Sequence, residues 1–251
     1  MCGFVGFTNK INDASIVLGK MMDRIKHRGP DSDGKYVDEQ IAMGFRRLSI
    51  IDLSDQGSQP IFNEDKSLVL TFNGEIYNYK DLREELVASG HKFYTQTDSE
   101  VLIHGYEQWG EDMLDKLRGM FAFVIFNKNT NEVFGARDFF GIKPYYAKMG
   151  ETLMWGSEIK SFLDHPHFKK ELNTDVLETY LTFQYSPTTE TFFKNVYKLP
   201  AAHCFTYKNG EMNVRRYWEV KFHADNGPSL EDWVNRISDT FKNSVEVHKF
   251  A

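Results

Sequence analysis

The chain has 251 residues, enough for one large domain or for one domain with part of a second. A net charge of −6 without a basic run argues against a nucleic-acid partner, while 41% hydrophobic and 15% aromatic content supply a sizeable core. Two cysteines, Cys2 and Cys204, cannot build a disulfide framework, and no stretch reads as a signal peptide or a bilayer span; the expectation is a soluble cytoplasmic protein with no membrane partner.

The chain opens Met1-Cys2-Gly3-Phe4-Val5-Gly6, and Gly3 to Phe7 reads as a strand. Trimming of Met1, expected before a residue as small as cysteine, would leave Cys2 with both a thiol and a free α-amine. A thiol of reference pKa about 8.5 is mostly protonated at neutral pH and needs a base. An α-amine of reference pKa about 8 can be that base from within the same residue. Retention of Met1 would lock that nitrogen in a peptide bond. Taken alone, a small residue entering a strand is the simpler reading of Cys2.

Asp13 is placed to cap a helix with Ala14, Leu18, Met21 and Ile25 on one face, and His27-Arg28-Gly29-Pro30-Asp31 breaks it. Ile41 to Leu48 and Ser67 to Phe72 read as strands. Tyr79 to Ser89 reads as a helix stopped by Gly90, and Thr97-Asp98-Ser99-Glu100 as the capping box of a third helix. Met120 to Phe126, Val133 to Arg137 and Leu153 to Gly156 are short β-rich runs, the first apolar enough to be buried on both faces. Cys204 reads as a packed strand residue, Asn209-Gly210 as a hairpin turn and Asp225-Asn226-Gly227-Pro228 as a linker. Beyond it, Ser229 is placed to cap a helix with Leu230, Val234, Ile237, Phe241 and Val245 along one seam. That seam reads equally as the start of a further domain or as a helix docking back on the first. Strands and helices without regular βαβ alternation imply an α+β fold, two packed antiparallel sheets sheathed by helices.

Several short motifs carry chemistry only in combination. Asn73-Gly74 is a common hairpin tip, yet the residues after it start a helix; the alternative is an oxyanion hole built from the Asn73 amide and the Gly74 N–H. Arg46 and Arg47 end a strand and face opposite sides, so one can point inward and pair with a carboxylate. Asp98 is a natural cap residue, but it or Glu75 could also hold a substrate ammonium. Arg137-Asp138-Phe139-Phe140-Gly141-Ile142-Lys143-Pro144 reads as a loop. The eight histidines show no metal-ligand spacing, so no metal is expected, and no phosphate loop or nucleophile elbow is found.

Taken together, Met1-Cys2-Gly3, His27 to Asp31, Arg47-Leu48-Ser49-Ile50-Ile51-Asp52, Asn73-Gly74-Glu75-Ile76-Tyr77-Asn78, Thr97 to Glu100, Gly119 to Phe123 and Arg137 to Pro144 resemble a class II glutamine amidotransferase. The likeness covers nearly the whole chain in order, and it is nearest to the glutaminase domain of glutamine-hydrolysing asparagine synthetases. It implies a four-layer αββα N-terminal-nucleophile hydrolase sandwich. By this likeness Cys2 is the nucleophile, Asn73 and Gly74 form the oxyanion hole, Arg47 binds the α-carboxylate of glutamine, and Glu75 with Asp98 holds its α-ammonium.

The resemblance also implies a glutaminase domain over 2–218, with 219–251 as linker and first helix of a truncated synthetase domain. The glutaminase needs no cofactor. The missing synthetase domain would use ATP and Mg to amidate aspartate with the ammonia passed to it. Other readings are a different carboxylate acceptor, or a non-catalytic module that senses glutamine or docks a partner. Whether the protein forms a homodimer is left open.

Overall fold

Two antiparallel sheets are generated by strands whose alternate residues face opposite sides. The computed structural model describes residues 2–8, 11–49, 57–150, 152–225 and 227–249; Met1 and Ile50 to Asp52 of the Arg47–Asp52 motif lie outside them. The first sheet holds β1 (Gly3–Thr8), β2 (Ser32–Val37), β3 (Ile41–Arg47), β8 (Tyr146–Lys148), β9 (Met154–Gly156) and β10 (Val196–Lys198), in the order β10-β8-β9-β1-β3-β2. The second holds β4 (Ile61–Phe62), β5 (Leu68–Ile76), β6 (Gly119–Asn127), β7 (Glu132–Arg137), β11 (His203–Lys208) and β12 (Glu211–Arg216), in the order β12-β11-β7-β6-β5-β4.

Three apolar clusters separate four layers. Val5 and Phe7 of β1 and Ala42 of β3 pack with Leu18, Met21 and Met22 of α1 (Ala14–Asp23) on the outer face of the first sheet. Phe4, Met43 and Phe45 turn the other way, meeting Val69, Ala122, Val124 and Phe126 of the second sheet. The opposite faces of β5 and β6 present Leu70, Phe72, Phe121 and Phe123 to α2 (Tyr79–Ala88) and α3 (Glu100–Trp109). This is the expected αββα sandwich, and period-two alternation is its cause. Gly44 permits the close approach of α1: a Cβ there would stand 2.6 Å from Met22 Sδ.

Local details differ from expectation where tertiary contacts compete. Asp13 is the N-cap of α1 but with a left-handed backbone and no side-chain cap; its carbonyl accepts the Ile16 and Val17 N–H groups instead. The capping box of α3 does not form, because the Glu100 carboxylate turns inward to accept the Tyr94 and Thr95 N–H groups at 2.6 and 2.7 Å. Asn209 and Gly210 make the expected turn, both with positive φ, between β11 and β12. Strands β2, β8 and β10 and helix α4 (Leu177–Phe183) carry too little local pattern to be anticipated.

Helix α5 (Leu230–His248) starts with a true capping box, Ser229 with Asp232. Its apolar seam of Leu230, Val234, Ile237, Phe241 and Val245 is exposed, and the helix meets the sandwich near its end, where His248 stacks on Tyr77 at 4.3 Å. Among the described residues no helix is long and apolar enough to cross a membrane.

Phe123→Ala, which empties a fully buried site, should lower unfolding stability by about 3–5 kcal/mol, whereas Phe241→Ala on the exposed seam should change it by less than about 0.5 kcal/mol. Urea denaturation of both variants checks this; equal losses would mean that α5 is packed as part of the sandwich.

Candidate active site

Cys2 lies at the mouth of β1, and its position follows from pairing. Gly3 pairs with Arg46, so the chain just before β1 runs beside Arg47 and Leu48. The Leu48 N–H donates to Cys2 Sγ at 3.3 Å, and the Sγ lies 3.5 Å from the Leu48 carbonyl. Arg28 Nε donates to the Cys2 carbonyl at 2.9 Å while Arg28 Nη1 pairs with Glu158 at 3.1 Å. The turn that carries Arg28 passes close enough for this because residue 29 is glycine: a Cβ there would stand 2.3 Å from the Arg46 carbonyl carbon. Burial pushes the Cys2 thiol up from its ordinary value, and the Leu48 N–H and the charges of Arg47 and Lys143 pull the other way.

The two arginines that end β3 separate by strand alternation. Arg46 faces α1, donating to the Met22 carbonyl at 3.2 Å and pairing with Asp23 and Asp33. Arg47 faces the interior and lines a pocket with Cys2, Leu48, Gly74, Glu75 and Asp98. Gly57 leaves room for its guanidinium; a Cβ there would lie 2.5 Å from Arg47 Nη2.

Asn73 and Gly74 are not a hairpin tip. They lie inside β5, opposite Ala122 and Phe121 of β6, and the strand continues to Ile76. The long, apolar β6 overrides the local turn preference of the Asn-Gly pair. Gly74 is irreplaceable sterically, since a Cβ would meet the Met120 carbonyl oxygen at 2.2 Å. Asn73 is buried, and its Nδ2 has no hydrogen-bond partner among the described residues. An unpaired buried amide donor costs about 1–3 kcal/mol.

Asp98 accepts the Ile76 N–H at 2.8 Å. Burial pushes its carboxyl up to about 7; the Ile76 N–H pulls it down and the neighbouring Glu75 charge pushes it up. Burial likewise raises Glu75, against the charge of Lys143. The structure thus brings Cys2, Arg47, Gly74, Glu75 and Asp98 to one pocket, with Asn73 next to Gly74 and outside the lining.

Three further residues serve the site. Arg28 holds the backbone of Cys2. Gln59 lines the pocket and bridges to β5, donating to the Phe72 carbonyl at 3.0 Å and accepting its N–H at 2.6 Å. Lys143, buried, reaches the Cys2 and Glu75 region from the Arg137–Pro144 loop. Buried Asp138 shapes that loop by accepting N–H groups of Phe140, Ile142 and Lys143, and Arg137 clamps it through the Gly141, Lys143 and Leu199 carbonyls. The only signal in the sequence was charge beside glycine and proline in a loop. The pocket holds no cluster of metal-ligating side chains among the described residues.

The glutamine amidotransferase domain family matches residues 1–218. Asparagine synthetase [glutamine-hydrolyzing] 1 of Bacillus subtilis is 41% identical over 99% of this chain and 40% of its own length, and asparagine synthetase [glutamine-hydrolyzing] 3 of the same organism is 35% identical over 98% and 41%. The chain therefore spans about two fifths of the curated relatives it matches. Glutamine phosphoribosylpyrophosphate amidotransferase of B. subtilis, complexed with ADP and GMP, superposes with a TM-score of 0.63 at 21% identity, covering 86% of this chain and 49% of that one. On this evidence the chain belongs to the glutamine amidotransferase domain family and has the fold of the N-terminal-nucleophile amidotransferases.

Proposed function

We propose that this chain is the glutaminase part of an asparagine synthetase, hydrolysing glutamine to glutamate and ammonia through a thioester on Cys2. The observation that carries the reading is the convergence of Cys2, Arg47 and Asp98 on one pocket, a nucleophile between a cation and an anion suited to the two ends of an α-amino acid. Arg47 pairs with the α-carboxylate of glutamine, and Asp98 with Glu75 holds the α-ammonium. Once Met1 is removed, the Cys2 α-amine takes the thiol proton as sulfur attacks the side-chain carboxamide carbon. The developing oxyanion is met by Asn73 Nδ2 and the Gly74 N–H, each such donor supplying about 3 kcal/mol of transition-state stabilisation. The amine then passes its proton to the leaving nitrogen, the C–N bond breaks, ammonia departs, and water hydrolyses the thioester to glutamate.

Residues 2–218 form the glutaminase domain, and 219–251 form the linker and first helix of a synthetase portion. The exposed seam of α5 supports this, being an apolar stripe that the sandwich leaves uncovered. That portion would bind ATP and Mg and amidate aspartate with the ammonia delivered to it; the glutaminase itself requires no cofactor. A thiol nucleophile with both cysteines free suits a reducing cytoplasm.

Cys2→Ala should abolish ammonia release without altering the circular dichroism spectrum, and residual release at the parental rate would refute the nucleophile. Arg47→Ala should raise KM for glutamine by roughly 10- to 100-fold with a smaller effect on kcat, the loss expected of charge-assisted bonds made in ground and transition states alike. Asp98 yields a pH dependence. Its carboxyl is mostly neutral below about 7 in the free protein, and an ammonium needs it ionised. Glutamine should therefore bind the Cys2→Ala protein about tenfold more weakly at pH 6 than at pH 8, and Asp98→Asn should flatten the profile. Calorimetry checks both; a pH-independent affinity in the Asp98-containing protein removes that residue from the ammonium site.

A further inference from the structure

Away from the glutamine pocket, four side chains from three segments converge. Glu64 comes from the turn between β4 and β5, His91 from the connection between α2 and α3, and His104 and Glu107 from one face of α3. Their nearest nitrogen and oxygen atoms all lie within 4.8 Å of one another. His104 Nδ1 is 3.4 Å from Glu64 Oε2 and 3.7 Å from Glu107 Oε2, and His91 Nδ1 is 3.6 Å from Glu64 Oε1 and 3.5 Å from Glu107 Oε2. His104 is fully buried, and neither of its ring nitrogens has a hydrogen bond among the described residues.

The outer nitrogens determine what the inner ones offer. His91 Nε2 lies 3.0 Å from Gln108 Oε1, an oxygen that can only accept, so the ring proton sits on that side. His104 Nε2 faces Glu100 Oε1 at 3.5 Å, a buried carboxylate already anchored by the Tyr94 and Thr95 N–H groups. With the ring proton on Nε2 in each histidine, both Nδ1 lone pairs point at the Glu64 and Glu107 oxygens. Asn63 Nδ2 donates to Glu107 Oε1 at 3.2 Å and the Lys92 N–H to Glu64 Oε1 at 2.8 Å, so the carboxylates are oriented too. Lone pairs facing carboxylates repel unless a cation lies between them.

The spacing fits such a cation. Donors bound tetrahedrally to zinc at about 2.0–2.2 Å lie roughly 3.3–3.6 Å apart. The four histidine–glutamate pairs lie at 3.4–3.7 Å, those of Glu64 through its two different oxygens, and one ligand atom from each residue falls within 4.8 Å of the others, so a small closure of the side chains completes the site. We propose that Glu64, His91, His104 and Glu107 form a structural binding site for a divalent transition-metal ion of the zinc class. Two imidazoles select such an ion over magnesium or calcium, which prefer oxygen. Four protein ligands leave no open coordination position, so the site staples the β4–β5 turn and the α2–α3 connection to α3. Acceptors behind each imidazole are the arrangement by which proteins orient metal-binding histidines. No local spacing betrays the site, because its ligands are drawn from three separate segments.

The untagged chain, stripped with a chelator, is titrated with zinc chloride by calorimetry and with cobalt(II) by visible absorption, and its Tm is read with and without zinc. The expected result is one zinc ion per chain, a zinc-dependent rise in Tm, and the strong absorption of tetrahedral cobalt. His91→Ala and Glu107→Gln, both at partly exposed positions and outside the glutamine pocket, should each weaken zinc binding by about 100-fold or more, since even outer-shell changes cost 10- to 100-fold. Either variant folds without depending on the buried His104, so the test survives if His104→Ala does not fold. Absence of zinc uptake by the parent chain would overturn the proposal. Uptake that neither substitution weakens would overturn it equally, by placing the ion elsewhere.

Discussion

The register between β1 and β3 governs the site. With Gly3 opposite Arg46, the residue before β1 falls beside Arg47 and Leu48, and the Leu48 N–H reaches the Cys2 sulfur. The same pairing decides which arginine enters the interior. A slip of one residue would turn Arg47 toward α1 and bring Arg46 into the pocket, away from Asp23 and Asp33. The Cys2 thiol and the Arg47 guanidinium are thus placed by one set of backbone hydrogen bonds, and the apolar alternation of Phe4, Val5, Met43 and Phe45 between two cores pins that set.

A second constraint is the burial of charge. Arg47, Asp98, Asp138 and Lys143 are all largely removed from water, and each is compensated locally. Asp138 is saturated by loop N–H groups, whereas Asp98 receives the Ile76 N–H and lies next to another carboxylate. The first arrangement satisfies its charge internally. The second leaves a carboxyl raised toward neutrality and ready to be ionised by an incoming cation. The Asn73 amide, buried and without a hydrogen-bond partner among the described residues, carries a similar cost in the free protein.

Much of the architecture was legible in the residues. Continuous apolar runs such as Met120–Phe126 and helical stripes such as Leu82 and Leu86 reflect a physics that acts over a few residues, and the structure follows them. Elements went unseen where local signal is weak, as in the three-residue strands β8 and β10, which exist only because neighbours pair with them. Expectation failed where a local motif met a stronger distant partner. Asn73-Gly74 looks like a turn and is a strand; Thr97 to Glu100 looks like a capping box and is a knot holding the preceding loop.

By itself the sequence determined the α+β class and the polarity of the faces, because these depend on residue type and short-range period. Only the tertiary structure decided that Arg47 and Gln59 line one pocket while Arg46 faces α1, that Lys143 comes near Cys2 and Glu75, and that Glu64, His91, His104 and Glu107 meet. Those outcomes depend on the register and packing of segments far apart in the chain, and no local pattern encodes a distance between them.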